Sequence, residues 1–291
     1  MIFNKWNNII KQIKDIKKPT KEDYIKIQDY LQSERPYLKD LINYYGDINN
    51  RRLGRTFNFI SENGDMPERI YHKGIKNDRV IFLYASYNRK YIKLAKDNFD
   101  NLISTGYDGD IILYLGGYPN LDGGSLKYAN LPYNFKLMCM MEAERLKYHY
   151  FLWIDTAVIA QDNINFIFDI LFKKGLYLNK NCKIKDSFDN PNSENIGSIE
   201  TFKIMNISYN NALNADVISG GIMGFDLTYL VYKKFIKIIE SYLKLKLPFM
   251  CPCADTAVIS IALAQTPHII TYEPSQICNS KTKLFFYDYD H

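Results

Sequence analysis

The chain has 291 residues, of which 47% are apolar and 24% charged, a balance that suits a soluble, well-cored protein and excludes a disordered or fibrous one. Its 37 basic and 32 acidic groups leave a net charge of +5, too mild and too mixed to argue for nucleic acid as a partner. The length fits one large α/β domain or two modest ones.

Residues 1–75 read as an N-terminal helical segment and hold 14 basic and 10 acidic groups. Thr20 is placed to cap a helix, with Asp23 three positions on. Tyr24, Ile27, Tyr30 and Leu31 then recur at helical spacing. A second helix is expected to start at Pro36, with Tyr37, Leu38, Leu41, Ile42 and Tyr45 on its apolar stripe. Arg51-Arg52-Leu53-Gly54-Arg55 is a basic cluster, read as a solvated surface or as a contact for phosphate or a partner.

From Arg79 the pattern changes. Val80-Ile81-Phe82-Leu83-Tyr84 is a continuous apolar run, as in a strand covered on both faces. A helix over 90–102 follows, then a second such strand, Ile111 to Leu115, ending at Gly116-Gly117. Asn134 is placed to cap a helix that reaches about Tyr148, and Tyr150 to Ile154 is a third strand. Residues 181–200 are rich in Asn, Asp, Ser and Lys and read as a polar surface insertion. A short strand, Asp216 to Ser219, meets Gly220-Gly221. Asp226 is placed to cap a long helix that ends at Pro248, and Asp255 opens another over 256–264. His268 to Tyr272 and Leu284 to Tyr287 are expected as late strands. Strand–helix alternation of this kind predicts an α/β fold with a mostly parallel central sheet flanked by helices.

Five cysteines in a chain of this length read as free thiols, and Cys251-Pro-Cys253 lacks the C-x-x-C spacing of redox and zinc sites. Met1 to Lys14 holds no run long enough for a signal peptide, and 18 apolar residues never follow one another. The expectation is a soluble, cytoplasmic protein without a membrane span.

Ligands of open parallel sheets collect beyond the carboxyl ends of the strands. The first strand delivers Ser86-Tyr87-Asn88-Arg89 there, the third Asp155-Thr156, and a later segment Ser219-Gly220-Gly221. A carboxylate after an apolar strand is costly to desolvate unless a cation or a ligand hydroxyl meets it. Asp155 is therefore either a binding residue or the cap of the next turn.

The run Phe151-Leu152-Trp153-Ile154-Asp155-Thr156-Ala157 resembles the Asp-x-Asp region of GT-A-fold glycosyltransferases, with the order of surrounding motifs similar to that of family 8-like enzymes. Asn134-Phe135-Lys136 stands where a helix leads into that strand. Ile218 to Asp226 resembles a glycine-containing segment beside the acceptor, and Cys253-Ala254-Asp255-Thr256-Ala257 an acidic helix start near the sugar. The resemblance covers roughly residues 78–291 and implies a Rossmann-like, GT-A-like catalytic domain over 76–291.

It further implies a hexosyltransferase-like enzyme. A sugar would pass from a nucleotide-sugar donor, a UDP-sugar first, to a hydroxyl of a glycan, protein or small-molecule acceptor. Ser86, Tyr87, Arg89, Lys136 and Asp155 would hold the nucleotide and diphosphate, with Tyr87 a candidate for base stacking. Asp255, Gly220 and Gly221 would shape the catalytic side, with Asp255 orienting the sugar or acting as base. Asp155 and His291 would bind Mn2+ or Mg2+, although Ala157 replaces the second Asp of the motif. Lys136 or Arg89 would otherwise neutralise the diphosphate without metal. His268 reads as a strand-end residue. The alternatives are a non-catalytic nucleotide- or sugar-binding module and, behind it, a sugar-nucleotide nucleotidyltransferase, whose glycine-rich loop is missing after Tyr84. Residues 1–75 lie outside the resemblance and are expected to cap the acceptor side or to form a homodimer contact.

Overall fold

Val80, Phe82 and Tyr84 pack with Ile112, Tyr114, Phe151 and Trp153 on one side of a sheet, while Ile81, Leu83 and Ala85 pack with Ile111, Leu113, Leu152 and Ile154 on the other. Alternate side chains of a strand point to opposite faces, so a continuous apolar run fills two layers at once. In this computed structural model the described residues are 4–13, 16, 18–44, 58–119, 126–131, 133–188, 199–250, 254–266 and 285–287.

In chain order, α1 is Asn4–Ile13, α2 Lys21–Tyr44, β1 Glu68–His72, β2 Lys76–Ala85, α3 Arg89–Ser104, β3 Gly109–Leu115, α4 Phe135–Arg145, β4 Tyr150–Ile154 and β5 Val158–Ala160. There follow α5 Asn165–Lys174, β6 Leu176–Lys183, α6 Ile184–Phe188, α7 Ile199–Ile204, α8 Tyr209–Leu213, β7 Asp216–Asp226, α9 Leu230–Leu245, α10 Ala254–Ala264 and β8 Phe285–Tyr287. The main sheet has the order β1-β3-β2-β4-β7-β6. Strands β3, β2 and β4 run parallel, β1 and β7 run against them, and β6 pairs antiparallel with β7. The fold is thus α/β with a mixed sheet flanked by helices. One face carries Leu137 and Met140 of α4, Phe235 and Ile239 of α9 and Val258 and Ile261 of α10. The other carries Ala95 and Phe99 of α3 and Ile167 and Phe168 of α5.

The N-terminal segment is helical as expected, but the two helices read from Thr20 and from Pro36 form the single helix α2, and α1 was not foreseen. Thr20 and Asp23 form the expected reciprocal cap, with Thr20 N donating to Asp23 Oδ2 at 2.8 Å and Asp23 N to Thr20 Oγ1 at 3.3 Å. Helix α2 passes Pro36 without the break the sequence suggests. A proline removes one N–H and crowds the preceding turn; helix-favouring Glu34, Leu38 and Lys39 flank it.

The segment also supplies β1, which the sequence analysis missed. This short edge strand sets only Ile70 against the core, which leaves too little hydrophobic alternation to read. Strand β7 runs on through Gly220-Gly221, with β4 pairing the residues from Ile222 to Asp226 and β6 pairing it before and after the glycines across a register shift. The insertion read over 181–200 is partly structural, since β6 reaches Lys183 and Ile184 is fully buried. Asp226 does not cap α9. Its Oδ1 accepts from Thr228 N at 2.8 Å, and the helix starts at Leu230 with Tyr229 as its cap residue. The late strand expected over 268–272 and the cluster at 51–55 lie outside the described residues.

Trp6, Tyr24, Ile27 and Tyr30 of the first two helices bury themselves against Phe59, Ile60, Tyr118, Leu126 and Ala129. The Trp6 indole donates to Lys127 O at 2.9 Å. Removing residues 1–75 therefore strips β1 from the sheet and uncovers Tyr118 and Leu126. A chain starting at residue 76 is expected to melt about 5–10 °C lower or to precipitate. A thermal melt with unchanged midpoint would show that the two parts are energetically independent.

Candidate functional site at the carboxyl ends of the strands

Residues i and i+2 of a strand share a face. Phe151, Trp153 and Asp155 therefore continue one another on the side of the sheet that carries α4 and α10. Asp155 follows the last residue of β4, so its carboxylate stands at the mouth of the strand. Its backbone is held on both sides: Asp155 N donates to Gly221 O at 2.8 Å and Val158 N to Asp155 O at 2.9 Å. Asn98 of α3 fixes the turn that follows by donating to Val158 O at 2.8 Å.

The side chain does not cap that turn. Asp155 Oδ1 accepts from the Trp153 indole at 2.8 Å and lies 3.0 Å from Lys136 Nζ, with Oδ2 at 3.2 Å from the same ammonium. Lys136 comes from the first turn of α4 and also lies 2.7 Å from Asp255 Oδ2, in the first turn of α10. Its third partner is Gly220 O of β7 at 2.9 Å. An ammonium has three N–H donors, and here each has an acceptor. Asp255 is thus an ion-pair partner, with a side chain 8% exposed against 36% for Asp155.

The absent side chain at Gly220 is what lets this happen. A Cβ there would sit 2.6 Å from Asp255 Oδ2 and 3.0 Å from Lys136 Nζ. The space a side chain at Gly220 would take is occupied by the ion pair. Gly221 contributes its carbonyl to Asp155.

The entry to α4 is held from the N-terminal side. Asn134 is fully buried, yet its side chain makes no cap hydrogen bond to the helix. It accepts from Tyr118 Oη at 2.7 Å and donates to Tyr128 O at 2.8 Å. Through Tyr118, the aromatic cluster of the first two helices reaches the residue two positions before Lys136.

The other expected nucleotide contacts are placed as follows. Ser86 is buried at the end of β2. The Tyr87 ring packs on Gly116, its hydroxyl donates to Met66 O at 2.5 Å, and burial pushes that phenol up to about 12. Arg89 opens α3, but its side chain is outside the described residues, as are His268 and His291. Cys251 and Cys253 are also outside them, while Cys139 and Cys182 are free thiols.

The divalent ion implied by the Asp-x-Asp resemblance does not fit the described donors. Ala157 offers a methyl group where a second carboxylate would stand. Both oxygens of Asp155 already face Lys136, and Asp255 Oδ2 faces the same ammonium. No cluster of three or more His, Cys, Asp or Glu residues able to hold a metal occurs among the described residues. A hard cation takes six or more oxygen ligands, commonly from several carboxylates.

Burial by itself would lower the Lys136 pKa, but Asp155 and Asp255 outweigh it and hold it above the ordinary value. Burial raises Asp155 above the usual carboxylate range, against the opposing pull of Lys136. Burial also raises the phenols of Tyr84 and Tyr118. In each of these basic-range groups the folded state keeps its proton after the unfolded chain has lost it. Their contribution is complete below about pH 10 and falls as pH rises above it, by about 1.4 kcal/mol per pH unit for each group. Urea midpoints between pH 8 and 11 should stay level at first and then drop steeply; a level curve to pH 11 would contradict the burial of these groups.

Trp153, Asn98 and Asn134 support the site without having been singled out for it in the sequence. Only Trp153 left a signal, its position two residues before Asp155 on a strand.

No protein-family model and no curated protein sequence matches the chain. Solved structures similar to it include the WbbM bifunctional glycosyltransferase, at 12% identity and a TM-score of 0.41, over 69% of this chain and 39% of that one. A glycosyltransferase involved in the glycosylation of the major capsid of PBCV-1 is 14% identical, with a TM-score of 0.43, over 72% of this chain and 92% of the other. The mannosyltransferase Ktr4p from S. cerevisiae is 11% identical, with a TM-score of 0.39, over 92% and 84% of the two chains. No helix among the described residues is long and apolar enough to cross a membrane.

Proposed function

We propose that the chain is a glycosyltransferase that moves a sugar from a nucleotide-sugar donor, a UDP-sugar in the first instance, to a hydroxyl acceptor. The observation that carries this reading is the Asp155–Lys136–Asp255 constellation at the carboxyl ends of the strands, where open α/β sheets bind ligands. Carboxylates held in place by a cation accept hydrogen bonds from vicinal hydroxyls, the groups that define a sugar. With both acids ionised the constellation carries one net negative charge, which favours neutral hydroxyls over a diphosphate. The diphosphate is accordingly assigned to the side of Ser86 and Arg89, at the start of α3.

In the reaction, a bond forms between the acceptor oxygen and the anomeric carbon as the bond from that carbon to the phosphate oxygen breaks. The hydroxyl proton is released and the nucleoside diphosphate leaves. Asp155, the more exposed acid, orients the donor sugar, while Asp255 and Gly220 O hold Lys136. The test is hydrolysis or transfer from a panel of UDP-, GDP- and dTDP-sugars by the full chain. Turnover that falls at least tenfold in Asp155→Ala is expected from the loss of an orienting group. Absence of turnover with every donor would defeat the reading. Ala157 favours one second reading, a binding module without turnover; calorimetry showing nucleotide or sugar binding with no reaction would select it.

A further inference from the structure

Lys136 is 5% exposed, and its ammonium stands between two acids from different elements of the fold. The polar contacts in the centre of the constellation are those of this ammonium: Asp155 from the mouth of β4, Asp255 from α10 and the Gly220 carbonyl from β7. The Trp153 ring adds a fourth neighbour, with its centroid 5.7 Å from Nζ. A cation placed there by the chain occupies the space a divalent ion would need. A dication beside it would meet the ammonium, and among the described residues the carboxylates in compensation are Asp155 and Asp255, both already engaged by that ammonium, because Ala157 supplies none.

We propose that Lys136 is the resident cation of this mouth and that the chain binds its donor without a divalent ion between Asp155 and Asp255. The consequence for donor binding rests on the transferase reading; the statement about the cation rests on the constellation alone.

The two statements are tested separately on the full chain. First, Mn2+ is titrated into the protein without nucleotide, and free Mn2+ is followed by electron paramagnetic resonance. The wild type is expected to show no saturable site tighter than about 1 mM, the weak range of a site with few charged ligands. One equivalent of Mn2+ bound more tightly than this, and lost in Asp155→Asn, overturns the proposal. In Lys136→Met both acids are released, and Mn2+ is expected to bind at least about tenfold more tightly than to the wild type; unchanged weak binding in a folded variant overturns the claim that the ammonium holds the metal's place. If that variant fails to fold, the wild-type titration decides.

Second, UDP, GDP and dTDP are titrated calorimetrically in EDTA and in Mn2+. Affinities within about twofold of each other support the proposal, and binding seen only with Mn2+ overturns it. Failure of every nucleotide to bind under both conditions sinks the transferase reading instead, while the Mn2+ titration still decides the cation.

Discussion

Lys136→Met should destabilise the protein by about 3–5 kcal/mol at pH 7, the cost of removing one partner from a buried ion pair. The lysine side chain is 6% exposed and that of Asp255 8%, so water cannot replace the lost ammonium at Asp255, while Asp155, at 36%, is partly solvated. Two acids from β4 and α10 are then left without their shared cation, and one of them must take up a proton. In the variant, such an acid keeps its proton in the folded state above the pH at which the unfolded chain releases it, near 4. The deficit is therefore smallest at pH 4 and grows as pH rises toward 7. A loss of packing alone would be the same at both ends, which makes the pH series diagnostic. Urea unfolding of wild type, Lys136→Met and Lys136→Met with Asp255→Asn measures it. The second substitution should restore about half of the loss, since removing both partners of a buried pair costs much less than removing one. A deficit below about 1 kcal/mol, the usual worth of an exposed pair, would show that the constellation is solvated.

Gly220→Ala should weaken both stability and donor binding, although it adds one methyl group. The new Cβ would stand 2.6 Å from Asp255 Oδ2 and 3.0 Å from Lys136 Nζ. Relief requires Asp255 to turn away or β7 to shift between β4 and β6, its neighbours in the sheet. Overpacking of this kind costs about 1–3 kcal/mol. Because the displaced atoms are those of the site, donor affinity should fall by about tenfold or more, as small misplacements of binding groups do. Gly224→Ala on the same strand is the control. Its Cβ would meet Leu171 Cδ2 at 3.0 Å and Tyr177 Cβ at 3.2 Å, among core side chains of the opposite face. Gly224→Ala should affect stability only. If both variants bind donor like the wild type, the constellation does not contact it.

The two variants also mark how far the sequence could be read. Strands β2, β3 and β4 are legible because each carries an unbroken apolar run, Val80 to Tyr84, Ile111 to Leu115 and Tyr150 to Ile154, and only a strand between two covered faces permits that. The reciprocal cap of Thr20 and Asp23 is legible because it is local. Strand β1 is not, because in five residues it packs a single apolar side chain, Ile70, against the core. The far half of β7 is hidden by Gly220-Gly221, a pair that reads as a turn until β4 and β6 are seen to pair the residues beyond it.

The site divides in the same way. Sequence alone determined that a carboxylate follows β4 and that it shares the face of Phe151 and Trp153, because the period of a strand is a local property. It also singled out Lys136, Asp255 and Gly220. Only the tertiary structure decided that these meet. Lys136 and Asp155 are 19 residues apart, and Lys136 and Gly220 are 84. Their contact follows from packing α4 and α10 on one face of a sheet in which β7 lies beside β4. Local spacing carries no information about such a contact, since the buried charge becomes tolerable only when all its partners arrive together.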